Sequence, residues 1–163
     1  MLISLLKSSR LKHYFFAFCL LFLPPTAATA DESSIVTTQV EGTFAETSSS
    51  VRDAIIGKGI NIAHVLPASD MLHRTAPAFG YKNDVYDQAE IYEFCSAALS
   101  QKLARLNPEN IVLCPFTIAV YTLPGQPNEV HITYKIPKGK PGSEDVVEEI
   151  KALISGIIED ASW

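Results

Sequence analysis

From Ile35 onward the chain switches between two hydrophobic periods, and the switches divide it into elements. Ile35–Phe44 puts Val36, Thr38, Val40 and Phe44 on one side and Thr37, Gln39, Glu41 and Thr43 on the other. That alternation predicts a strand with one wet face. Ser48, Ser49 and Ser50 supply N-caps, and Ser50 with Asp53 resembles a capping box. Val51, Ala54 and Ile55 follow at helical spacing until Gly57 and Gly59 end the helix. Ile60–Leu66 predicts a second strand, on which His64 shares a face with Ile60, Ile62 and Leu66. Pro67 to Gln88 keeps no period for long. Ser69 and Asp70 cap a helical turn through Met71, Leu72 and Arg74, and Pro77 and Gly80 then favour loop. A loop of that length inside a compact domain is commonly functional.

The centre of the chain reads as strand, helix, strand. Ile91, Tyr92 and Phe94 favour extended backbone, and Ser96 is a good N-cap for a helix running from Ala97 to Asn107-Pro108. Apolar residues at spacings of three and four from Val85 to Leu106 leave one long helix over 84–106 as the alternative. Ile111–Thr122 predicts a buried strand, and Leu123–Asn128 turns the chain. Glu129–Ile136 then alternates, with Val130, Ile132, Tyr134 and Ile136 inside and Glu129, His131, Thr133 and Lys135 outside and solvated. Glu144 and Asp145 open the last helix, where the backbone dipole favours acids, and Val146, Val147, Ile150, Leu153, Ile154, Ile157, Ile158 and Ala161 make its apolar stripe. The order of elements predicts an α+β domain over 31–163: a two-layer sandwich, its largely antiparallel sheet covered on one face by helices.

Residues 1–30 do not belong to this pattern. Lys7, Arg10 and Lys12 precede a short apolar run, Tyr14–Leu23, and Ala28-Thr29-Ala30 follows Pro24-Pro25. This is the layout of a secretory signal peptide cleaved near Ala30, and the apolar run is about half the roughly twenty residues a bilayer crossing needs. The expected product is periplasmic or secreted, without a stable membrane anchor. It has 133 of the 163 residues and ten basic against 18 acidic side chains, a net charge of −8 with neutral histidines. Such a surface repels phosphate backbones and anionic lipid heads, which argues against nucleic-acid partners. Monomer and homodimer are both open.

The segments AEIYEFCSA at 89–97, IVLCPFTIAVY at 111–121 and SDMLHRT at 69–75 resemble the bacterial family known as domain of unknown function 302. The resemblance spans about Ile35 to Ala161. The commoner family form has Cys-Asn-Pro at the first cysteine and Pro-Cys in the second strand. Cys95-Ser96-Ala97 and Cys114-Pro115 depart from it, so the chain resembles a secreted subgroup. The family implies a small two-layer sandwich and no established activity.

Candidate chemistry centres on Cys95 and Cys114. A right-handed crossover would carry the helix about 16 Å down and a strand from Asn110 roughly 13 Å back up, returning Cys114 to the level of Cys95. Three readings stay open: two inert core thiols, a structural disulfide favoured by an oxidising compartment, or a reactive or ligand-binding pair. In the last, Cys95 before a helix start is a redox or sulfur-handling nucleophile with Cys114 resolving. Alternatively the cysteines join Met71 and His73, or His64, as soft ligands for copper, zinc or haem iron. Arg74 offers an anion clamp. A pocket is expected between the Pro67–Gln88 segment and the cysteine end of the sheet. The sequence has no Gly-x-Ser-x-Gly elbow, phosphate-binding loop or His-Glu-x-x-His helix, and it assigns no catalytic residue and no cofactor. The reading is a binding or accessory protein for a small ligand, metal or protein partner rather than an enzyme, with thiol-redox or soft-metal handling as the competing class.

Overall fold

A computed structural model describes residues 34–162, so the leader expected over 1–30 lies outside the described residues. Strand β1 (Ile35–Glu41) leads into helix α1 (Phe44–Gly57), β2 (Ile62–Pro67) and α2 (Ala68–Thr75). A 3-10 turn (Ala76–Phe79) and a looped return precede β3 (Gln88–Phe94) and α3 (Ala97–Leu106). A second 3-10 segment (Pro108–Leu113) joins α3 to β4 (Phe116–Leu123), which forms a hairpin with β5 (Gln126–Lys135) before α4 (Glu144–Ala161). The five strands form one sheet in the order β1-β5-β4-β3-β2, and every neighbouring pair is antiparallel. Helices cover one face of it, as the two hydrophobic periods require. No helix among the described residues is long and apolar enough to cross a membrane.

The core is where the sheet's inner face meets α1 and α4. Ile118, Val120, Val130 and Ile132 are wholly buried, as are Val51 and Ile55 of α1 and Ile150 and Ile157 of α4. Burial of each such side chain contributes about 1.5–3 kcal/mol, which fixes the helix stripes against the sheet. Lys58 and Asp160 pair at 2.7 Å between α1 and α4, but both are exposed and add little.

Four local expectations are corrected. Helix α1 begins at Phe44, four residues before the serines. Thr43 and Glu46 form the capping box, the Thr43 Oγ1 accepting from the Glu46 amide and the Glu46 carboxylate accepting from the Thr43 amide, each at 3.3 Å. Ser48 is instead buried within the helix. On β2 a register shift between Ile62 and His64 turns Ile62 and Val65 toward the core and leaves His64 exposed. Ile111–Leu113 are helical rather than strand, because the Asn107 side chain accepts the Glu109 amide at 2.9 Å and starts a tight turn. Finally, β3 and β4 are antiparallel neighbours, so no right-handed crossover joins them.

Candidate functional site

Phe94 and Phe116 are the last paired residues of β3 and β4. Cys95 directly follows Phe94 and Cys114 lies two residues before Phe116, at the two ends of the α3 excursion. The excursion must leave and re-enter the sheet at the same place, and this geometry brings the cysteines together. Their Cα atoms are 5.9 Å apart and the sulfurs lie at disulfide distance. Cys114-Pro115 is a cis peptide. Both cysteines are half-buried rather than sealed in the core. The Ser96 hydroxyl caps α3 by accepting the Leu99 amide at 3.4 Å, so Cys95 is one residue before the cap of a ten-residue helix. Unpaired amides and the positive end of the helix dipole at that position favour negative charge on sulfur.

A residue that the sequence reading passed over holds this end of the molecule. The Asn110 side chain is 2% exposed and uses both ends of its amide. Its Nδ2 donates to the Leu103 carbonyl at 3.1 Å and to the Ser143 hydroxyl at 2.8 Å, while its Oδ1 accepts from the Lys140 amide at 2.9 Å. It therefore ties α3, the 3-10 segment and the loop before α4 into one unit four residues from Cys114. Local sequence carries no sign of this, because the partners are seven and about thirty residues away.

The other candidate residues are elsewhere. Pro67 pairs with Glu90 and Ile62 with Phe94, so the 68–87 segment leaves and rejoins the sheet at the end of β3 opposite the cysteines. Five residues of strand separate Glu90 from Cys95, roughly 16 Å. The expected pocket between that segment and the cysteines is thus not formed, and Cys95 and Cys114 do not meet Met71 or His73. His73 instead pairs through Nε2 with Asp84. Arg74 turns back on its own helix, its Nε donating to the Asp70 carbonyl at 3.4 Å. His64, opposite Glu93, is on the helix-free side of β2. Among the described residues no three His, Cys, Asp or Glu side chains gather in a metal-holding group. Segment 71–85 does form a cavity of its own, about 350 Å³, lined mostly by apolar side chains including Met71, Leu72, Phe79 and Val85.

Two further clusters escaped the sequence reading. His131, expected to be solvated, is only 13% exposed. Its ring stacks on Tyr121 at 4.8 Å, and Tyr86 meets Tyr121 edge-on at 5.1 Å, so the returning loop covers this part of the outer sheet face. Inside, Glu90 points toward the helices with Tyr92. The Tyr92 hydroxyl lies 2.6 Å from the Ser48 hydroxyl and donates at 2.9 Å to the Glu90 carboxylate, and Ser48 also donates to Glu90 at 2.6 Å. Burial pushes the Tyr92 pKa above the ordinary tyrosine value, with the Glu90 carboxylate adding to the shift. Strand alternation from Phe94 back to Tyr92 and Glu90 is the sequence signal that this carboxylate faces inward.

Residues 36–161 match the family described as Domain of unknown function DUF302. The chain belongs to the DUF302 family. A crystal structure of an uncharacterized conserved DUF302 protein from Bacillus stearothermophilus superposes with a TM-score of 0.64 at 14% identity, over 78% of this chain and 97% of that one. At that identity the likeness bears on fold. No curated protein matches the chain.

Proposed function

We propose that this DUF302 protein is an exported thiol–disulfide protein, one of a secreted subgroup, whose Cys95–Cys114 pair cycles between dithiol and disulfide. The observation that carries the reading is the approach of two half-buried cysteines to disulfide distance directly before a capped helix start. In the reduced protein the Cys95 thiolate attacks a partner disulfide, and one partner sulfur leaves as thiolate. The Cys114 thiolate then attacks Cys95 Sγ in the mixed disulfide and releases the second partner sulfur. Two electrons pass to the partner, which ends as a dithiol, while Cys95–Cys114 closes; the reverse steps oxidise a partner dithiol. An oxidising compartment, expected from the leader-like first thirty residues, suits such a pair.

The test is the reduction potential of the pair, measured by equilibrating the protein with glutathione or dithiothreitol and counting trapped thiols by mass spectrometry. A potential above about −300 mV, with a Cys95 thiol that titrates below the usual 8.5 or so, is expected. A potential well below that limit makes the bond a structural staple and sinks the proposal. N-terminal sequencing of the periplasmic protein tests export, with Asp31 the expected first residue.

A further inference from the structure

The cavity at the α2 end shares no residue with the cysteine pair. We infer that it is a binding site for an uncharged, apolar small molecule. Five of the ten large hydrophobic side chains exposed among the described residues are in this one segment: Met71, Leu72, Phe79, Tyr81 and Val85, from 36% to 73% exposed. They enclose a concave space rather than a flat patch because the chain doubles back. Gly80 adopts φ +79°, and the amides of Gly80 and Tyr81 donate to the carbonyls of Pro77 and Ala76, each at 3.1 Å. The His73–Asp84 pair then joins α2 to the returning strand of loop, so the walls stand without a ligand.

Size and charge narrow the class of occupant. A dry apolar cavity of about 150 Å³ takes a benzene ring. This one, at about 350 Å³, has room for a bicyclic aromatic or an aliphatic chain of similar bulk. Asp84 is the single charged residue on the lining, and its carboxylate is already engaged by His73. An anionic ligand would find no counter-ion on the lining, and a cationic one would have to compete with His73 for the Asp84 carboxylate. The Thr75 hydroxyl is likewise committed, donating to the Met71 carbonyl at 2.9 Å. Asn83 and the Tyr81 hydroxyl offer the polar groups that orient a guest, in the usual pattern of an apolar pocket with few polar contacts.

The experiment titrates the purified protein with 1-aminonaphthalene, a bicyclic fluorophore that is uncharged at neutral pH, and follows its emission. Saturable enhancement at one site per chain is expected. Leu72→Asp, Val85→Asp and the milder Phe79→Ser should each weaken it at least tenfold with far-ultraviolet circular dichroism unchanged. Val112→Asp, which alters an exposed apolar residue near the cysteines, should leave it unchanged. Absence of saturation, or an equal loss in Val112→Asp, overturns the inference. So does a dimer in light scattering that Val85→Asp converts to monomer, which would assign the cleft to a second copy of the chain.

Discussion

The two ends of β3 are built on different principles. At the Phe94 end, cysteines 19 residues apart come together, and Asn110 binds the carbonyl, hydroxyl and amide of three separate residues. At the Gln88 end, Ser69 and Tyr86 tie the two ends of the segment to the sheet, but between them α2 and the following loop are held by short-range bonds, among them Thr75 to Met71 and Leu72, and by the exposed His73–Asp84 contact. The first arrangement joins parts of the chain that folding must bring from afar, so its loss is felt throughout. The second folds back on itself and leaves apolar side chains open to solvent. Rigid long-range fastening suits a pair of sulfurs that must stay aligned, whereas local fastening suits a cleft that admits a guest. Regions with few long-range contacts also open at lower free energy than the core.

Removing the covalent fastening should have the largest effect. The double substitution Cys95→Ser, Cys114→Ser releases a loop of sequence separation 19, which on the chain-entropy model lowers stability by about 3 kcal/mol. Urea unfolding of this variant against the oxidised parent gives the figure; an unchanged midpoint would dissolve the contrast between the two ends. Asn110→Ala comes next. It strands the buried Ser143 hydroxyl and takes the acceptor from the Lys140 amide, and a loss of about 2 kcal/mol is expected in the same measurement.

Tyr92→Phe should cost about 1 kcal/mol, since the Ser48 and Glu90 oxygens lose a donor. Tyr92 also supplies a pH signature. Its folded-state pKa is raised, so the folded protein holds this proton more tightly than the unfolded chain. The associated stability is fully present below the unfolded value of about 10 and is lost as pH rises from there through the folded value. Urea midpoints taken across that alkaline range should fall more steeply in the parent than in Tyr92→Phe, and tyrosinate absorbance should show one late-titrating ring. The smallest effect belongs to the far end. His73→Ala breaks the contact to Asp84, in which both side chains are about half exposed, and should move global stability by under about 0.5 kcal/mol. Hydrogen exchange of residues 76–85 should nevertheless quicken in that variant while residues 116–120 hold.

Legibility in the sequence followed the range of the interaction. Ser96 as a helix cap, the inward set Val130, Ile132 and Tyr134, and the start of α4 at Glu144 all rest on spacings of two to four residues, and all appear in the structure. Thr43 with Glu46 was equally local, but three consecutive serines offered a competing start, and burial of Ser48 against Tyr92 decided between them. The register shift that exposes His64 depends on how β2 meets β3, which the β2 sequence does not encode.

Taken by itself, the chain's pattern of apolar positions specified two layers, an antiparallel sheet and its covering helices, because burying one face of each element admits few other arrangements. It also marked Cys95 and Cys114 as the residues to watch. Which strands are neighbours was left to tertiary structure, and with it the route by which the cysteines meet, the distance of Met71 and His73 from them, and the burial of Asn110 and His131. The reason is that a side chain's period reports only which way it faces. What it faces depends on segments tens of residues away, whose positions are set when the whole core closes.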